Sequence, residues 1–129
     1  MKFRSDFVTN SSSSSFLIAV KNEPVYEPIA HALVVATGHC ETEKGVRCST
    51  IQEVENYIQD IYGYTNKSLE ELLAKDYVAE WYNLACTALK EGKICIFKDI
   101  GYSDEGLQNF IEALCKISDG VAILKTDEA

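Results

Sequence analysis

Four side chains that bind metals or act as nucleophiles fall within 18 positions of this 129-residue chain: His31, His39, Cys40 and Cys48. A structural zinc site usually draws its four ligands from two closely spaced pairs. Here the separations are eight, one and eight residues, and the adjacent His39 and Cys40 would rarely reach the same ion. The spacing therefore favours a polar loop over a metal site, and no cofactor is indicated.

Cys48 is the best candidate nucleophile. It comes just before Ser49 and Thr50, which begin a predicted helix, and Arg47 lies beside it. The positive end of a helix dipole and a neighbouring cation both lower the pKa of a thiol. With His31 or His39 as its base, Cys48 would be the catalytic centre of a small thiol-dependent enzyme.

Two capping boxes predict the helices that follow. Thr50 with Glu53 predicts one helix, and Ser68 with Glu71 begins a longer one that ends at Gly92. The longer helix would span about 22 residues, or roughly 33 Å. Upstream, 29–36 is either a short helix or a strand, and its two consecutive valines favour the strand.

Three short apolar runs predict buried strands: 16–20, 93–98 and 121–124. A helix between the last two would complete a C-terminal βαβ unit. The expected fold is therefore α/β or α+β, a small single domain of three to four strands with helices packed on the sheet. We expect the domain to cover residues 15–129, after a separate N-terminal segment of residues 1–14.

Three acidic residues follow the predicted strand that ends at Lys98: Asp99, Asp104 and Glu105. Carboxylates at the end of a strand are potential Mg²⁺ ligands. Acidic side chains are also favourable in the first turn of a helix. The second interpretation is simpler, so Asp104 and Glu105 are predicted to stabilise the start of a helix.

The N-terminus has an unusual pattern: Arg4, then Phe7-Val8-Thr9-Asn10, five serines and Phe16. It resembles an N-terminal signature shared by uncharacterised bacterial and phage proteins, which implies an accessory protein and no catalytic residue. A polar segment of this composition is also typical of a mobile leader. As a recognition peptide, it would bind through Phe7, Val8, Asn10, Ser11, Ser12, Ser13, Ser14 and Ser15.

The charge distribution bears on the class of partner. The first 21 residues carry three basic side chains and one acidic one, whereas the other 108 carry 9 basic and 19 acidic ones. Because an acidic surface repels phosphate backbones, nucleic-acid binding is not expected. The chain has no long apolar run and no apolar leader, so it is expected in the cytoplasm and not in a membrane.

Tyrosines and the single tryptophan gather on the two predicted middle helices, where Tyr82 lies beside Trp81 and off the inward face. Such residues are enriched in protein interfaces. A homodimer through Tyr82 is therefore one hypothesis. The residues together favour a protein-binding module over an enzyme. The alternatives are a thiol-dependent enzyme and a substrate of an N-terminal modifying or processing enzyme.

Overall fold

One four-stranded sheet and five α-helices form the part of the chain that the computed structural model describes, residues 13–101 and 104–128. The strands are β1 (Ser13–Lys21), β2 (Val46–Cys48), β3 (Lys93–Gly101) and β4 (Val121–Glu128). The helices are α1 (Glu27–Val35), α2 (Ile51–Ile61), α3 (Leu69–Leu73), α4 (Asp76–Lys90) and α5 (Glu105–Ile117). The expected mixed α/β fold is confirmed.

The sheet has the order β2-β3-β1-β4, and each neighbouring pair is antiparallel. Because β1 is antiparallel to both β3 and β4, those two strands run in the same direction, and α5 connects them. The predicted crossover of strand, helix and strand is therefore present. The two parallel strands are not neighbours, however, since β1 lies between them.

Strand β1 is the central element because it is covered on both faces. Leu17 and Ala19 face a core formed with α2 and α4, whereas Phe16, Ile18 and Val20 face a second core formed with α1 and α5. All five side chains are buried. This confirms the strand predicted from the continuous apolar run.

Both capping boxes are present. The amide of Glu53 donates to Thr50 Oγ1, and the amide of Glu71 donates to Ser68 Oγ. The single long helix predicted after Ser68 is wrong, because the backbone is extended at Lys75 and separates α3 from α4. Asp76 then occupies the first turn of α4, where its charge is favourable.

Two other local predictions are also wrong. The preferred strand at 29–36 is helix α1, which has a proline in its first turn and buries Ala30 and Leu33. The run 121–124 is a strand, but β4 is at the edge of the sheet, and only Val121 of these four residues is buried. Tertiary packing outweighs local preference in both cases.

Candidate functional site

Cys48 is in β2, where its side chain is 0% exposed within the core beside α2. Burial raises the pKa of its thiol to about 12, and the nearby charge of Glu53 acts in the same direction. The expected lowering of this pKa is therefore wrong. Arg47 does not offset the effect, because its guanidinium donates to the Glu27 carboxylate.

The two histidines do not join Cys48. His31 is exposed on α1, and His39 lies in the loop after that helix with 77% of its side chain exposed. In the described residues no hydrogen bond or ion pair connects either imidazole to the Cys48 thiol. The expected catalytic pairing is therefore not assembled, and the nucleophile that it required is buried.

A different set of side chains converges where β3 ends. Here β3 continues to Gly101, so Asp99 is part of the strand and not of the expected loop. A cavity of about 340 Å³ opens beside this end of the strand. Its lining includes three carboxyl groups, one imidazole and one thiol, and consists of His39, Cys40, Thr42, Glu43, Asp99, Ile100, Gly101 and Asp104.

Glu43 fixes the loop of residues 36–45 to β3. Its side chain is buried, and its Oε1 accepts a hydrogen bond of 2.8 Å from the amide of Gly38. Its Oε2 accepts one of 2.9 Å from the amide of Gly101. A single carboxyl group therefore holds both walls of the cavity together.

Lys98 of β3 also holds the loop of residues 36–45, through hydrogen bonds to its backbone. The residue is 2% exposed, and its Nζ donates to the carbonyl oxygens of Ala36 at 2.6 Å and Glu43 at 2.7 Å. Burial lowers the pKa of this ammonium to about 8, although the nearby Glu43 charge partly opposes the shift. The sequence contained a signal for this position, because Ile94, Ile96, Lys98 and Ile100 alternate on one face of the strand.

Asp104 has a different role from the predicted helix cap. It is the residue before α5, but its side chain makes no capping hydrogen bond there. Both carboxyl oxygens instead accept from the amide of His39 at 3.1 Å, and Oδ1 also contacts Nδ1 of that imidazole. A hydrogen bond with Glu43 and these contacts hold the pKa of Asp104 below its usual range.

Gly38 allows the loop backbone to lie close to Asp104, since a Cβ at position 38 would collide with the Asp104 carboxyl group. The His39 imidazole contacts Asp104 through Nδ1, and most of its side chain is exposed at the edge of the cavity. Cys40 is exposed beside it and contacts Thr42 Oγ1 at 2.8 Å. The cavity therefore suits a positively charged group, with one imidazole at its edge.

Within residues 13–101 and 104–128, no group of three or more His, Cys, Asp or Glu side chains is arranged to hold a metal ion. The four potential ligands named from the sequence are separated instead. His31 lies on α1 and Cys48 is buried in β2, whereas His39 and Cys40 line the cavity.

The predicted N-terminal binding element is only partly within the described residues. Phe7, Val8, Asn10, Ser11 and Ser12 lie outside them. Ser13, Ser14 and Ser15 belong to β1, and the last two are buried in the sheet. The domain boundary predicted after residue 14 therefore falls inside β1, because this strand begins at Ser13.

Tyr82 is partly buried on α4, and its hydroxyl donates to Glu55 Oε2 of α2 at 2.8 Å. This hydrogen bond gives Tyr82 a role within the chain, joining two helices of the same layer. The homodimer through this face stays a prediction.

Comparisons with protein-family models, curated proteins and solved structures find no match to this chain. A search of the described helices finds none that is both long and apolar enough to cross a membrane.

Proposed function

We propose that this chain is a protein-interaction module, and that a partner protein recognises the segment before β1. The observation that supports this proposal is the register of β1 in the sheet. Ser13 pairs with Gly101 of β3, and Gly101 lines the acidic cavity. The N-terminal segment therefore joins the domain about one strand spacing, roughly 4.8 Å, from a wall of that cavity.

The burial of Ser14 and Ser15 narrows the proposed recognition element. Both side chains are inside the folded sheet and are not available to a partner. Since Ser13 is already paired with Gly101 in β1, the element that precedes the sheet consists of Phe7, Val8, Asn10, Ser11 and Ser12. Two apolar side chains followed by small polar ones are typical of peptides that bind through an anchor.

The cavity adds a second contact for the same partner. Its three carboxyl groups come from Glu43, Asp99 and Asp104, and the Asp104 charge is stabilised by its hydrogen bonds. A partner that binds the N-terminal segment and also reaches this cavity would contact these groups. A basic side chain on that partner would be favoured, whereas a nucleic acid would be repelled.

Affinity purification from cells of the native host tests the proposal. The full chain is compared with a variant that lacks residues 2–12 but keeps all of β1, and with the double variant Phe7→Ser, Val8→Ser. We expect one partner that both changes remove. The exposed change Ser49→Ala is the matched control and should leave that partner bound. Recovery of the same proteins with all variants would contradict the proposal.

Intact-mass measurement of the purified chain distinguishes this proposal from the alternative that the N-terminal segment is an enzyme substrate. If the N-terminal segment is the substrate of a modifying or processing enzyme, the chain will carry added mass or lose residues before Ser13. An unmodified mass together with a captured partner supports recognition.

A further inference from the structure

A groove runs between the edge strand β2 and helix α2, on the side of β3 away from β1. Its volume is about 420 Å³. Both walls come from short, well-defined elements, and the lining consists of Val46, Arg47, Cys48, Glu53, Asn56, Tyr57, Asp60 and Ile61.

One face of α2 forms the helical wall. Its five lining residues follow the spacing i, i+3, i+4, i+7 and i+8, which is that of one helical stripe. Tyr57, at the middle of this stripe, is buried and stacks on Phe97 of β3 with ring centroids 4.3 Å apart. This contact fixes the distance between the helix and the sheet, so the groove is preformed.

The other wall is a sheet edge. β2 is the terminal strand and pairs through only three residues, all with β3. No other strand in residues 13–101 and 104–128 lies on its outer side. Val46, which is 41% exposed, faces the groove from this edge. An edge strand with a side-chain groove beside it is the arrangement to which an extended peptide adds as a further strand.

The charged side chains of the groove indicate what kind of peptide it would bind. Arg47 already donates to the Glu27 carboxylate, so its positive charge is paired. The Asp60 carboxylate is on an exposed residue and makes no side-chain hydrogen bond or ion pair with the described residues. Glu53 adds a second carboxyl group at the other end of the helical stripe. The groove is therefore negative and has apolar side chains at its centre.

We propose that this groove binds an extended segment of a partner protein by strand addition to β2. Every second side chain of an added strand faces the groove. Among these, the segment carries apolar side chains against Val46 and Ile61 and a basic one beside Asp60. This inference goes beyond the proposed function, which concerns the segment before β1. Either can fail without the other.

The test uses the full chain and a fluorescein-labelled octapeptide, Thr-Val-Thr-Lys-Thr-Val-Thr-Lys, capped at both ends, in which the valines and lysines share one face of the strand. Fluorescence anisotropy should show saturable binding, and amide chemical shifts should change in β2 and α2. Asp60→Lys should raise the Kd about tenfold. This change should not unfold the domain, because a cation near the C-terminus of α2 is favourable. Glu70→Lys, an exposed reversal on α3, is the matched control and should leave the Kd unchanged.

Two further peptides test the backbone and the charge. N-methylation of the central amides should abolish binding, because strand addition uses backbone N–H groups. Replacement of the lysines by glutamates should do the same. Equal binding of the N-methylated peptide, or an unchanged Kd with Asp60→Lys, would overturn the proposal.

The proposal would also be overturned if the groove were filled by the chain's own N-terminal segment or by a second copy of the chain. Tighter peptide binding after removal of residues 2–12 would assign the groove to the chain's own N-terminal segment. A dimer seen in sedimentation without peptide, and dissociated by Asp60→Lys, would assign it to a second copy.

Discussion

The Lys98 ammonium donates a hydrogen bond of 2.7 Å to the backbone carbonyl of Glu43, across 55 positions of the chain. The Glu43 side chain in turn accepts from the amide of Gly101, at the end of the strand that carries Lys98. The loop and the strand are therefore tied by two reciprocal polar contacts, and the cavity between them depends on both.

Replacing Lys98 by methionine should lower the free energy of unfolding by about 2–4 kcal/mol, because the buried carbonyl oxygen of Glu43 and the partly buried one of Ala36 lose their donor. Urea denaturation measures the change. Lys93→Met on the same strand removes only an exposed ion pair with Glu91, and it should cost less than about 1 kcal/mol. Equal effects of the two changes would show that the Lys98 contacts do not stabilise the loop.

The lowered pKa of Lys98 predicts a pH dependence. An unfolded lysine holds its proton up to about pH 10.5, whereas folded Lys98 releases it near pH 8. Between these values the unfolded chain binds more protons, so this residue makes stability rise with pH, by at most about 1.4 kcal/mol per pH unit. Below pH 8 both states are protonated, and Lys98 contributes no slope.

The measurement is the difference in unfolding free energy between the wild type and Lys98→Met at pH 7, 8, 9 and 10. Taking the difference removes the opposing effect of buried tyrosines and thiols, whose pKa values are raised by burial. The advantage of the wild type should grow from pH 8 upward. A constant difference would mean that Lys98 has an ordinary pKa in the folded chain, and a shrinking difference would mean a raised pKa; both contradict the prediction.

Cys40 should be the one cysteine that reacts rapidly with a thiol reagent in the native chain. It is exposed, whereas Cys86 is buried, and burial raises the pKa of Cys48 and Cys95 to about 12 and that of Cys115 to about 11. Titration of the native chain with Ellman's reagent should show one fast thiol, which Cys40→Ser removes. Loss of the fast phase in Cys48→Ser instead would restore Cys48 as a nucleophile.

Ser15→Asp should lower the free energy of unfolding by about 2–4 kcal/mol, because it introduces a buried charge between two others. Ser15 is buried and pairs with Asp99 on β3 and with Asp127 on β4. Thermal unfolding at neutral pH measures the loss. Ser49→Asp, exposed ahead of α2, is the control and should be neutral or slightly stabilising because of the helix dipole.

Gly38→Ala should open the cavity edge, since its Cβ would collide with the Asp104 carboxyl group. We expect a loss of about 2 kcal/mol in stability and a large change in the chemical shifts of the His39 imidazole. Gly63→Ala provides the comparison, because a Cβ there meets no atom within 4 Å. An unchanged His39 spectrum would show that Asp104 does not hold this imidazole.

The sequence by itself determined the local elements whose signals are short-range. The apolar run 16–20 predicted a strand covered on both faces, because its side chains alternate between two cores. Thr50–Glu53 and Ser68–Glu71 predicted two helix starts, because a capping box is satisfied by neighbouring residues alone. Helix α5, which connects β3 and β4, was also predictable because an apolar run typical of a strand lies on each side of it.

Tertiary structure decided the order of the strands, the break before α4 and the site. Insertion of β1 between β3 and β4 depends on pairs of residues between 72 and 114 positions apart, for which the sequence has no local signal. Cys48 and Asp104 both shortly precede a helix, but burial of the Cys48 thiol and the contact of Asp104 with His39 give them other roles than the predicted ones. The ionisation and contacts of such side chains depend on which distant residues pack against them, and only the fold settles that.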